Sequence, residues 1–253
     1  MPTKSTLLAE PYPDAKQWRS IVKQFDSKAI AHKLLLSHIP YVFRDEPLKF
    51  ALFRRTVADN FGVDPSSVYI VGSAMAGRSL KGKAIDKLYS TDSDIDTLIV
   101  SEHLFAKYVM ESLDWVRDAT SSDWDDTSHS FAVPELTDDT INQIYFIADN
   151  ASNGIWRPDA LPNDAQIRHE FFDRFSDVGL RTLGLQISDD TVANVNGRIA
   201  RSFDDAVTDL ANSIYRLEKE FRKLDDEKAA GKSGAVKKTG DSKSGKPKPK
   251  DNA

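Results

Sequence analysis

VYIVGSAMAGRSLKGKAIDKLYSTDSDIDTLIV, residues 68–100, reads as strand, glycine turn, short helix, loop and strand. Val68 to Val71 is an unbroken run of β-branched and aromatic residues, which suits a strand. Gly72-Ser73 follows at once, and Gly77 lies a few residues on. Ile95 to Val100 forms the second strand, opened by Asp94 and Asp96. Side chains alternate along a strand, so Asp94, Asp96, Leu98 and Val100 share one face. Ile95, Thr97 and Ile99 share the other.

Two carboxylates at i and i+2 stand roughly 6.6 Å apart at the backbone. At an effective dielectric of about 20 their repulsion is about 2.5 kcal/mol. A divalent cation held by both offsets that cost. Mg²⁺ in particular is commonly held by one or two carboxylates together with substrate phosphates. The turn at Gly72-Ser73 suits those phosphates, because glycine allows close backbone approach and N–H groups at a helix start favour an anion. The competing structural reading is an Asp- and Ser-rich turn that caps an ordinary buried strand.

The arrangement resembles the DNA polymerase β-like nucleotidyltransferase superfamily. Its signature is an apolar residue, Gly, Gly or Ser, a spacer, then Asp, an apolar residue, and Asp or Glu followed by an apolar residue. Here these positions are Val71, Gly72, Ser73, Asp94, Ile95, Asp96 and Thr97, and Ser93 also matches the common form. The resemblance implies that Gly72, Ser73 and Ser93 meet the nucleotide and that Asp94 and Asp96 are the catalytic metal ligands for Mg²⁺ or Mn²⁺. It also implies an α+β fold, a small mixed sheet flanked by several helices. The spacer is longer than usual by the segment from Leu80 to Thr91, and Thr97 is only half apolar. That insert carries Lys81, Lys83 and Lys87 with Arg78 just ahead, a set that reads either as triphosphate contacts, with Arg78 and Lys81 first, or as a basic surface loop. Members of the superfamily also place a third carboxylate on a later neighbouring strand. The late strand from Val195 to Ile199 contains no acid. Asp92, Asp149, Asp189 and Asp190 read more readily as turn or helix-end residues. Arg198 and Arg201, beside that strand, suit phosphates or a structural salt bridge equally. HIPYVFRDEP (residues 38–47) and NGRIARSFDDA (residues 196–206) further resemble a loosely described prokaryotic nucleotidyltransferase-like group.

The 253 residues contain no cysteine, which excludes disulfides and thiolate metal sites. The start of the chain lacks an apolar signal-like core and no apolar run is long enough for a bilayer, so the expectation is a cytoplasmic protein without membrane contact. The five histidines show no metal-type pairing. From Lys228 to Ala253, eight Lys face only Asp241 and Asp251, a charge of +6. The chain's net charge is −5, so the remainder carries −11. The tail has too few apolar residues to fold and reads as disordered, either as a soluble end or as a phosphate-seeking arm. Residues 1–62 read as helices buttressing the sheet, with Leu48, Leu52, Phe53 and Val57 as the apolar stripe of the third. Residues 63–225 read as the core, with a helix of apolar members Leu104, Tyr108, Met110 and Trp115, an ordered turn segment at residues 153–162, and candidate strands at Leu183 to Ile187 and Val195 to Ile199. Val207, Leu210, Ile214, Leu217 and Phe221 give the last helix a core-facing stripe, and Ser202 caps it.

Three functions fit this pattern. The first is a metal-dependent nucleotidyltransferase that moves a nucleoside monophosphate from an NTP to a protein, RNA or nucleotide acceptor. The second is a degenerate domain that binds nucleotide without transfer. The third is an antitoxin-like protein-interaction module that keeps only the fold.

Overall fold

The computed structural model describes residues 9–90, 93–120, 124–125, 130–131, 136–176, 178–183, 186–188, 191–192 and 194–236. In chain order the first elements are α1 (Ala15–Gln24), α2 (Ser27–Leu36), α3 (Pro47–Phe61), β1 (Val68–Val71), α4 (Gly72–Ala76), β2 (Ile95–Val100) and α5 (Glu102–Ala119). Then follow β3 (Trp124–Asp125), β4 (Ser130–Phe131), α6 (Asp138–Ser152), β5 (Ile155–Trp156), α7 (Gln166–Asp173) and α8 (Val178–Leu183). The last are β6 (Gln186–Ser188), β7 (Thr191–Val192), β8 (Val195–Ala200) and α9 (Phe203–Val236).

The fold is α+β. Its sheet has the order β1-β2-β8-β5. β1 and β2 pair antiparallel with Val71 opposite Asp96. β8 runs parallel to β2, with Asp96 opposite Asn196 and Leu98 opposite Arg198. β5 closes the other edge antiparallel to β8. The helices start where short polar side chains satisfy their first N–H groups. Asp14 and Gln17 form a reciprocal box at α1, each backbone N–H donating at 2.7 Å to the other's side chain. At α9 the Asp205 N–H donates to Ser202 Oγ at 3.1 Å, and Ser202 Oγ donates to the Asp205 carboxylate at 2.7 Å.

One continuous core joins both halves of the chain. Trp18 and Ile21 of α1, Ile30 and Leu34 of α2, and Phe53 and Val57 of α3 are buried with Ile70, Ile99 and Ile199 of the sheet and Leu217 and Phe221 of α9. The N-terminal helices therefore belong to the same hydrophobic unit as the strands. Among the described residues no helix is long and apolar enough to cross a membrane.

Several elements differ from the sequence-based expectations. Leu48 is 84% exposed and Leu52 47%, whereas Phe53, Val57 and Phe61 are buried. One residue turns a helix by about 100°, so the ridge of 48 and 52 lies beside the buried ridge, not on it. Met110 of α5 is likewise exposed, while Leu104 and Tyr108 are buried. The segment at 153–162 contains β5, which the short IW pair inside NGIWRP does not announce. Leu183 closes α8 and does not begin a strand. α9 continues through residues 228–236, the first part of the segment expected to be disordered. Extending an existing helix adds a backbone bond per residue without a new nucleation cost, so Ala-containing sequence suffices there. Residues 237–253 lie outside the described residues, as do Thr91, Asp92, Asp189 and Asp190.

His38, in the loop after α2, gives the fold a pH-sensitive point. Ser37 Oγ donates to the Lys33 carbonyl at 2.6 Å, so at 3.0 Å it accepts from His38 Nδ1–H. His38 Nε2 is then a buried acceptor without a partner among the described residues. Burial, and next the Lys33 charge, push the His38 pKa down to about 4. The unfolded value is about 6.5, so the unfolded chain binds more protons between these values. The stability tied to neutral His38 is fully present above about pH 6.5 and is lost as pH falls through about 4. For a partly exposed side chain the loss is expected to be about 1–2 kcal/mol. Denaturant melts of the wild type and His38→Gln should show the wild type losing that much more than the variant between pH 7 and pH 4. A pH-independent difference would contradict this.

Candidate functional site

The end of β1, the Gly72-Ser73 turn, the start of β2 and one side of α9 border a single cleft of about 1060 Å³. β1 and β2 bring the turn and the acid pair together, because Val71 lies directly opposite Asp96 in the ladder. Gly72 has φ +67, a left-handed conformation that costs a residue with a Cβ about 1–2 kcal/mol. A Cβ there would also stand 2.6 Å from Asp96 Oδ2. The glycine thus makes room first for the Asp96 carboxylate, whereas the sequence suggested room for a phosphate. Gly72→Ala is expected to lose more stability in the wild type than in an Asp96→Ala background, where only the backbone strain of about 1–2 kcal/mol remains. Equal losses in both backgrounds, measured by denaturant unfolding, would rule out the contact.

The two acids differ in surroundings. Asp94 is exposed, and its Oδ1 accepts from Asn194 Nδ2 at 3.1 Å. Asp96 is partly buried. Burial raises its pKa, and Asp94 adds to the rise, while the charges of Arg198, Arg157 and Lys81 oppose it. Tyr89, close enough to feel Asp94, is pushed up to about 12, mainly by burial. On β8 the residue beside Asp96 is Asn196, and two further along is Arg198. The neighbouring strand therefore offers a carboxamide and a guanidinium where the resemblance implies a third carboxylate.

The other acids of the cleft come from helices. Asp149 near the end of α6 accepts from Asn153 at 3.4 Å. Asp209 of α9 is paired with Arg198 at 2.9 Å. Glu220 of α9 accepts from the Gly82 N–H at 2.6 Å, tying the insert to the long helix. Among the described residues no group of three His, Cys, Asp or Glu is placed to hold a metal ion. Comparison of the chain with protein-family models, curated proteins and solved structures finds no match. The donor set of Asp94 and Asp96 suits a Mg²⁺ that arrives on a triphosphate and needs only one or two protein carboxylates. It does not suit a cage built from protein ligands alone.

The cations divide into two groups. Lys81 and Lys87 of the insert line the cleft, as do Ser73 and Ser93. Arg78, expected with them, is turned away, its Nε donating to the Pro13 carbonyl at 3.0 Å and its Nη1 to that of Ile85 at 3.1 Å. It holds the insert to the start of the chain. Arg201 pairs with Asp205 at 3.0 Å at the head of α9. Arg157 after β5 and Arg216 of α9 also line the cleft, and sequence reasoning did not single them out. A signal for the α9 wall exists: Thr208, Asn212, Arg216 and Glu220 recur every four residues beside the apolar stripe, one helical face.

Proposed function

We propose that the cleft binds a nucleoside triphosphate with Mg²⁺ or Mn²⁺ and transfers its nucleoside monophosphate to a protein, RNA or nucleotide acceptor. One observation carries the reading. The Gly72-Ser73 turn and the Asp94/Asp96 pair, separated in sequence by the insert, line one cleft large enough for a nucleotide. Asp94 and Asp96 would hold the cation. When bound, it neutralises phosphate charge and orients the phosphates. Ser73, Ser93, Lys81 and Lys87 face the same space and supply donors and positive charge for phosphate oxygens. In the transfer the acceptor loses a proton to water as its oxygen or nitrogen bonds the α-phosphorus. The bond from that phosphorus to the bridging oxygen breaks, and its electron pair leaves on pyrophosphate.

The absence of an acid on β8 beside Asp96, where Asn196 and Arg198 stand, favours a second reading, in which the cleft binds nucleotide without transferring it. Incubation with each α-labelled NTP and Mg²⁺ or Mn²⁺ separates the two. Pyrophosphate release with label on an acceptor supports transfer. NTP binding without pyrophosphate release supports the second reading, and no binding of any NTP removes both.

A further inference from the structure

We propose that Arg198 is a triphosphate-binding residue that takes the place of the third carboxylate, so that the site works with one divalent cation and a guanidinium. This rests on the reading of the cleft as an NTP site. In register-matched parallel strands side chains at the same level point to the same face, so Arg198 shares the face of Asp94 and Asp96. It lines the cleft, and its side chain is only 18% exposed. Asp209 reaches across from α9 and fixes it: Arg198 Nε donates to Asp209 Oδ2 at 3.1 Å, and Nη2 stands 2.9 Å from the same oxygen in an ion pair. Arg198 Nη1 has no partner among the described residues. A guanidinium held along one side keeps further donors in a planar fork, the geometry that suits phosphate oxygens.

Charge decides between this role and that of a simple brace. A third carboxylate would add a negative charge beside Asp94 and Asp96 and would demand a further cation before a triphosphate could enter. Arg198 with Asp209 makes a neutral pair instead, and Lys81, Lys87, Arg157 and Arg216 line the same cleft. The site should then hold a polyphosphate even without metal, which a site of three carboxylates would repel. A brace between β8 and α9 makes no such prediction.

The probes are inorganic tripolyphosphate in EDTA, and ATP with Mg²⁺, followed by calorimetry. The wild type should bind both. Arg198→Gln should bind tripolyphosphate about tenfold more weakly or worse, the loss expected for charge-assisted bonds. The double variant Arg198→Gln, Asp209→Asn leaves no unpaired acid, so its melt should lie close to that of the wild type while its tripolyphosphate binding stays weak. Arg198→Lys keeps the ion pair but not the fork, and should fall between. Wild-type affinity for tripolyphosphate in the folded variants would reduce Arg198 to a brace and overturn the proposal. A wild type that binds ATP with Mg²⁺ but no tripolyphosphate in EDTA would overturn it alone. A wild type that binds neither probe would overturn it together with the NTP reading.

Discussion

The double substitution Asp94→Asn, Asp96→Asn is expected to erase both pyrophosphate release and the stabilisation that an NTP with Mg²⁺ gives the wild type. A ligand that binds only the native state at about 100 times its dissociation constant adds about 2.7 kcal/mol, so that amount should disappear. Without ligand the variant should be as stable as the wild type or more so. Asp96 is a partly buried acid with a raised pKa, and no hydrogen bond or ion pair reaches its carboxylate among the described residues. An acid whose folded pKa is raised loses stability as pH rises past its unfolded value, so at pH 7 the ionised form is a cost. Asparagine has no charge to bury. At position 94, asparagine still accepts from Asn194, so that contact survives. If the acids instead act as structural caps, their loss should lower metal-free stability by breaking charge-assisted hydrogen bonds. Thermal melts of both proteins, with and without ligand, distinguish the two outcomes.

Phe171→Ala is expected to be the most destabilising single change, by about 3–5 kcal/mol. Phe171 is fully buried in α7. Its ring meets those of Trp156 at 4.8 Å, Phe61 at 5.3 Å, Tyr108 at 5.4 Å and Phe175 at 5.4 Å. Truncation would leave a cavity that these rigid rings cannot collapse to fill. Trp156 belongs to the edge strand β5 and donates from Nε1 to Ser112 Oγ at 2.9 Å, which locks that strand to α5. Arg157, next in the chain, lines the cleft. Loss of the Phe171 ring should therefore weaken NTP binding as well as stability. Phe171→Leu, which keeps most of the volume, should lose far less. Denaturant unfolding that shows a loss under about 1 kcal/mol for Phe171→Ala would contradict the packing argument.

The central unit was legible because its information is local. Val68 to Val71, the glycine turn and Ile95 to Val100 each carry their own backbone preference, and the alternation of Asp94, Ile95 and Asp96 fixes which side chains face the cleft. The amphipathic stripe of α9 is likewise periodic, and its members Val207, Leu210, Ile214, Leu217 and Phe221 are all buried. β5 was not legible: two residues have no period, and Ile155 and Trp156 become a strand only because β8 stands beside them. The ridge of Leu48 and Leu52 misled because two apolar ridges run side by side on α3 and the tertiary packing selects one. The cleft walls also depend on tertiary structure. Arg157 follows the short strand β5, and Asp209 and Arg216 lie on a face of α9 whose role depends on what it faces. Arg198 was visible as a cation suited equally to phosphates or to a salt bridge, but its partner Asp209 is fixed only by the packing of α9 beside β8.

In the proposed function, the Gly72-Ser73 turn, Asp94 and Asp96 together form a site for a nucleoside triphosphate and a divalent cation. The most direct measurement is the melting temperature of the wild type alone, with Mg²⁺, with each NTP, and with both together. At least one NTP should raise it, and Mg²⁺ or Mn²⁺ should enlarge the rise by more than the metal's effect alone. A melting temperature that no NTP changes, with or without metal, would contradict the proposed function.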